Sequence, residues 1–130
     1  MHLHPTSKIM IVDDIPSLLT GLRRALAHLG FENVIEAADG AEALALLLGN
    51  TDVVLIISDW NMEPMDGLAF LTAVRADRRF QSLPFILASA DASPSLHEQA
   101  AKSGVSLVLA KPFDAATLRM AIASLEPPQT

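Results

Sequence analysis

Val53-Val54-Leu55-Ile56-Ile57-Ser58-Asp59-Trp60-Asn61-Met62-Glu63-Pro64-Met65-Asp66-Gly67 is the stretch from which the rest of the chain can be read. It opens with five consecutive apolar residues, four of them β-branched. Such a run suits a strand buried on both faces, as in a parallel sheet, and is too short to favour a buried helix. It ends on a carboxylate, Asp59. Pro64 then forces a loop, and Asp66 is placed to cap the helix that follows. Asp59 is therefore expected at the carboxyl end of a central strand, where open α/β sheets gather their ligands. The plainer alternative is an Asp that only caps a turn.

The same pattern recurs on both sides. Lys8–Val12 reads as a buried strand ending in Asp13 and Asp14, and Pro16 suits the first turn of a helix carrying Leu18, Leu19, Leu22, Leu26 and Leu29 at helical spacing. Gly30 stops that helix. A short strand over 33–37 leads to Asp39-Gly40, with Asp39 as cap of an Ala/Leu-rich helix from Ala41 to Leu48. After Asp59 a third helix is expected from Asp66 to about Ala76. Arg75, Arg78 and Arg79 at its end read as solvated cations favoured at a helix C-terminus. Pro84–Ala88 is the fourth strand, ending in Ser89-Ala90-Asp91, and Ser93-Pro94 is an N-cap with Pro at the first helical position. The fourth helix, about 95–103, has few large apolar residues and should pack lightly. Leu107–Ala110 is the fifth strand, ending in Lys111-Pro112-Phe113. Asp114 caps a last helix with Leu118, Ile122 and Leu125 as its buried stripe.

Five strand–helix repeats predict a (βα)5 doubly wound parallel sheet. Right-handed crossovers then put every strand end on one edge. That edge collects Asp13, Asp14, Asp59, Ser89 and Lys111.

Composition bounds the rest. A chain of 130 residues, 51% hydrophobic, is one domain with a real core. The expected division is a lead-in over 1–7, the domain over 8–126 and a tail over 127–130. His2 and His4 alternate in the lead-in and are read as part of a loose terminus. Without cysteine, disulfide and thiolate chemistry are excluded, and a net charge of −6 argues against nucleic-acid binding. No run approaches a membrane span and no signal peptide is evident, so a cytoplasmic protein without membrane insertion is expected.

Crowded carboxylates repel one another unless a cation neutralises them. Mg²⁺ favours oxygen ligands, Lys111 brings a compact positive charge, and Ser89 a hydroxyl donor. A carboxylate nucleophile, a metal, a lysine and a hydroxyl together suit acceptance of a phosphoryl group.

Asp13-Asp14, Asp59-Trp60-Asn61-Met62 with Met65-Asp66-Gly67-Leu68, Ser89-Ala90 and Lys111-Pro112-Phe113 are the motifs by which the chain, from Lys8 to about Leu125, resembles the receiver domains of two-component response regulators. Among them it is most similar to the single-domain chemotaxis regulators. Each motif is weak alone; the four at these spacings are specific. The resemblance implies a flavodoxin-like sheet of order 2-1-3-4-5, with Asp59 as phosphoacceptor. It implies Mg²⁺ on Asp14, Asp59 and the backbone carbonyl of Asn61, with Asp13 acting through water, and Lys111 and Ser89 on the phosphoryl oxygens. It also implies a cis Lys111–Pro112 bond and a histidine kinase or histidine phosphotransfer protein as donor. The downstream protein would bind the face of helix 4, strand 5 and helix 5. Asn61 and Asp91, two residues beyond the acceptor and the hydroxyl, would admit water and keep the phosphoform short-lived. Trp60, beside the acceptor, would report the site by fluorescence.

Two departures stand out. Glu63 occupies the position where the chemotaxis pattern has Pro, and Pro64 follows. Val108 stands where the family has an aromatic residue, so a rotating ring cannot carry the switch; the loop from Ala90 to Pro94 and helix 4 would carry it instead. Among competing readings, a haloacid dehalogenase-type phosphohydrolase needs an acid/base Asp where Asn61 stands. A nucleotide-binding module needs a Gly-rich loop that no strand precedes. A receiver-like scaffold that no longer takes phosphate would not retain every acceptor residue. A receiver cut from a longer regulator or hybrid kinase fits the same residues.

Overall fold

The computed structural model describes residues 3–91 and 93–126. His2, Ala92 within the loop expected to move, and the tail over 127–130 lie outside the described residues. The elements alternate as β1 (Lys8–Val12), α1 (Pro16–His28), β2 (Val34–Ala37), α2 (Gly40–Leu48), β3 (Val53–Asp59), α3 (Gly67–Ala76), β4 (Phe85–Ser89), α4 (Pro94–Lys102), β5 (Leu107–Ala110) and α5 (Ala115–Leu125), with one 3₁₀ turn over Arg78–Phe80 after α3. The sheet is parallel throughout, in the order β2-β1-β3-β4-β5. The doubly wound (βα)5 expectation is met, and the order reverses between β1 and β3, where such sheets form a crevice at the strand ends.

Side-chain alternation explains why both faces are covered. Ile9, Ile11, Leu55, Ile57 and Ile86 point to one core with Leu19 and Leu26 of α1 and Leu118 and Ile122 of α5. Met10, Val12, Ile56, Phe85 and Leu87 point to the other, with Ala43 and Leu47 of α2, Phe70, Leu71 and Val74 of α3, and Ala100 of α4. The period of two sends neighbours to opposite faces. The rings of Phe70 and Phe85 meet at 5.4 Å in a tilted pair.

Helix starts follow their caps. Asp39 accepts from the amides of Ala41 and Glu42, Asp66 from Ala69, and Asp114 from Thr117. Each satisfies amides that a first turn leaves without partners. Asp66 is thus the cap outside α3 rather than its first residue. α1 starts without a side-chain cap at Ile15, relying on Pro16 at its first position. Gly30 follows α1 with φ +97°, a conformation glycine enters without cost.

Arg75 departs from expectation. It is not a solvated cation: its Nε donates to the carbonyl of Gly104 and its Nη1 to that of Phe80, both at 2.8 Å. Burial lowers its pKa. The helix end leaves it room to fold back over the 3₁₀ turn. Arg79 does remain exposed, paired with Asp77 at 2.7 Å and stacked over Phe80. Among the described residues two prolyl bonds are cis, the anticipated Lys111–Pro112 and also Glu63–Pro64.

Candidate functional site

The site is built at the carboxyl edge by β1, β3, β4 and β5. The registers pair Val12 with Ser58, Asp59 with Ala88, and Ser89 with Ala110, so residues one step beyond the strands share that edge. Asp13, Asp14 and Asp59 each place a carboxylate oxygen within 4.8 Å of the others. Asp13 and Asp59 are buried while Asp14 is exposed, so one side of the cluster opens to solvent.

Lys111 reaches across this group. Its Nζ donates to Asp59 Oδ1 at 2.7 Å and to Asp13 Oδ2 at 3.2 Å. Asp13 Oδ1 also accepts from the Ile15 amide at 3.0 Å, which fixes its carboxylate over the start of α1. Burial raises the pKa of Asp59, and the neighbouring Asp13 charge adds to the rise; the Lys111 bond opposes both without cancelling them. For Lys111, burial works against its charge, but the bond and charge of Asp59 and then of Asp13 outweigh it, and its pKa is raised. Both values rise, for different reasons: burial disfavours the charge of Asp59, while two carboxylates around one ammonium favour the charge of Lys111. Such a site has room for more positive charge. Three oxygen donors converging beside an open face are the donor chemistry a hard divalent cation takes.

Ser89 is buried. Its Oγ accepts from the Asp91 amide at 3.1 Å, and its carbonyl accepts from the Lys111 amide at 2.9 Å. Ser89 and Lys111 are thereby locked side by side through the backbone. Asp91 Oδ1 accepts from the Ser93 amide at 2.8 Å, and its carboxylate is exposed. Asn61 is exposed on the β3–α3 loop, and Val108 is half-buried against the core behind β5. Trp60 lies beside Asp59 in sequence, yet its side chain is buried in the core with Met62 and Phe70. Any optical signal from it therefore travels through the strand end rather than by contact with a ligand.

Two glycines, Gly40 and Gly67, have a task that the sequence reading did not give them. A Cβ on Gly67 would lie 2.1 Å from the Asp59 carbonyl oxygen, and one on Gly40 would lie 2.7 Å from Met65 Cγ and 2.9 Å from Met65 O. The Gly67 amide donates to Trp60 O at 2.8 Å and the Gly40 amide to Met65 O at 3.0 Å. The starts of α2 and α3 thus clamp the loop that carries Asp59. The only available signal was the repeated Asp-Gly pair, at 39–40 and 66–67.

A cleft of about 480 Å³ runs between Leu18 and Gly21 of α1 and Pro112 and Phe113 after β5, with Asp59 and Lys111 in its wall. No helix among the described residues is long and apolar enough to cross a membrane.

Comparison with known proteins agrees with this geometry. Residues 9–123 match the response regulator receiver domain family. The chain is 42% identical over 113 residues to the chemotaxis protein CheY of Pseudomonas aeruginosa, spanning 86% of this chain and 90% of that protein. It is 37% identical over 112 residues to the chemotaxis protein CheY1 of Helicobacter pylori, with the same coverage of 86% and 90%. Its fold superposes on Vibrio cholerae chemotaxis protein CheY4 with a TM-score of 0.87 at 32% identity, covering 93% of this chain and 99% of that one.

Proposed function

This chain belongs to the response regulator receiver domain family and is a CheY-like signalling domain of two-component systems, and on that premise we propose that Asp59 is its phosphoacceptor. The observation that carries the assignment is the pairing of Asp59 with Lys111 at 2.7 Å, beside two further carboxylates at the end of a central strand. Asp14, Asp59 and the backbone carbonyl of Asn61 would hold Mg²⁺, with Asp13 acting through water; the ion supplies charge neutralisation at the phosphoryl oxygens.

Asp59 attacks phosphorus, the new bond joins its carboxylate oxygen to phosphorus, and the donor nitrogen of a phosphohistidine leaves with the old bonding pair. Lys111 exchanges its Asp59 contact for a phosphoryl oxygen and keeps the growing charge paired. Ser89 turns its hydroxyl from the Asp91 amide to donate to a second oxygen. Positioning and charge, rather than proton transfer, do this chemistry. Asn61 and Asp91, both exposed and polar, leave water a path to phosphorus, so the acyl phosphate hydrolyses itself within seconds to minutes. The donor is a histidine kinase, a histidine phosphotransfer protein or a small phosphodonor. The domain covers residues 8–126, acts in the cytoplasm, and signals through protein contacts at the α4–β5–α5 face. Val108, half-buried and stiff at χ1, is no substitute for a rotating ring, so the β4–α4 loop and α4 carry the change.

Acetyl phosphate with Mg²⁺, followed by intact-mass measurement, tests this reading. Wild type should gain one phosphoryl mass that decays within minutes, and Asp59→Asn should gain none. Full labelling of Asp59→Asn at another residue would overturn the assignment.

A further inference from the structure

The two ends of α4 are held very differently. At its C-terminal end Ala100 is fully buried, and its carbonyl accepts from the Val105 amide at 3.1 Å. The Ser106 amide donates to Phe85 O at 3.0 Å, while Ser106 Oγ accepts from the Phe85 amide at 2.9 Å. Between these anchors sits Gly104, with φ +91° and its carbonyl held by Arg75 Nε at 2.8 Å. Arg75 spans from there to Phe80 O, and Phe80 is buried, so the guanidinium ties the α4–β5 turn to α3 and its 3₁₀ extension. The rigid planar fork of arginine is what allows one side chain to hold two carbonyls.

The N-terminal end has no such anchor. Pro94, Ser95, His97, Glu98 and Gln99 are exposed, and only Leu96 is half-buried. Its cap is the Ser93 hydroxyl, accepting from the Leu96 amide at a long 3.4 Å. Ser93 is held in turn by Asp91, and Asp91 by Ser89 Oγ. The restraint on this end therefore leads back to a hydroxyl of the site, whereas the restraint on the other leads to α3.

We propose that Arg75 makes the C-terminal end of α4 a fixed pivot, so that the helix answers the site as a lever whose N-terminal half moves. The lever rests on the receiver reading above: a group bound at Asp59 that recruits Ser89 releases the Asp91 amide and loosens the cap. Arg75 keeps the far end in register with β5, so the change is an angular one rather than a melting of the whole helix.

The test is residue-resolved amide exchange by NMR on wild type and Arg75→Lys, each with Mg²⁺ and with or without beryllofluoride as a phosphoryl analogue. In wild type the analogue should change exchange over residues 95–99 and leave 101–106 unchanged. The two carbonyls are held by separate nitrogens, Nε and Nη1, and the single Nζ on the shorter lysine stem does not reproduce that spacing. Loss of one charge-assisted bond should therefore raise exchange over 101–106 roughly tenfold in Arg75→Lys even without the analogue. The analogue response should then spread into 101–106 and weaken over 95–99. A wild-type response centred on 101–106, or spread evenly along α4, would overturn the proposal. So would an Arg75→Lys response indistinguishable from wild type. If Arg75→Lys does not fold, Arg75→Gln, which keeps a single amide donor group, takes its place with the same expected and overturning results. The phosphoryl-labelling experiment fails separately if Asp59 is not the acceptor.

Discussion

Replacing Gly67 with Ala adds a single methyl group to the molecule at a point of closest approach. The new Cβ would stand 2.1 Å from Asp59 O, 3.0 Å from Asp59 C and 2.8 Å from Leu87 Cδ1. Leu87 can rotate, but the carbonyl belongs to the last residue of the central strand and cannot. Relief requires about 1 Å of separation between the start of α3 and the end of β3, the cost of which is of order 1–3 kcal/mol for overpacking. The same movement stretches the bond from the Gly67 amide to Trp60 O, now 2.8 Å. Loss of a buried backbone bond adds about 1–3 kcal/mol. The intrinsic gain of Ala over Gly in a helix returns up to about 1 kcal/mol. The net expectation is a loss of about 1–5 kcal/mol, read as a lower urea midpoint at unchanged slope. Because Asp59 itself shifts, phosphorylation by acetyl phosphate should slow by roughly 10²-fold. Gly21→Ala is the matched control. It lies inside α1 with nothing within 4 Å of its added Cβ, so the same substitution should stabilise by about 0.5–1 kcal/mol. Equal midpoints for Gly67→Ala and wild type, or a Gly21→Ala loss as large as that of Gly67→Ala, would refute the close-approach argument.

The raised pKa of Asp59 has a definite sign: the native state holds that proton more tightly than the unfolded chain, whose value is near the ordinary 3.8, so stability present below that pH is lost as pH rises through the raised value. Metal-free Asp59→Asn should therefore have the higher urea midpoint at pH 7, with its advantage shrinking toward pH 3.5; a pH-independent difference would count against burial as the cause. Mg²⁺ at a hundred times its dissociation constant should stabilise wild type by about 2.7 kcal/mol, and Asp14→Asn should show much less of this gain in a thermal melt at matched Mg²⁺. Equal gains in both proteins would remove Asp14 from the ligand set.

Much of this molecule could be read directly from the residue order. Apolar runs too short for helices, each followed by an acid, a serine or a lysine and then a helical period, dictate parallel βα units, and chirality alone sends Asp13, Asp14, Asp59, Ser89 and Lys111 to one edge. These are local signals, legible because strand and helix periods and caps depend on near neighbours. What required the tertiary structure is everything set by contact between segments distant in sequence. Lys111 could have been placed near the acids by topology, but only the packed sheet shows its ammonium shared between Asp13 and Asp59, and so why the pKa values of Asp59 and Lys111 are both raised. Trp60 adjoins Asp59 in sequence, yet its ring is turned into the core with Met62 and Phe70. Gly40 and Gly67 read only as the residues after a capping Asp until the neighbouring backbone is seen within the space of a methyl group. Arg75 carries the composition of a solvated helix end, and only the approach of Gly104, 29 residues away, makes it a strut. Periodicity specifies which face a residue occupies, whereas the partner across a few ångströms is set by how the layers pack.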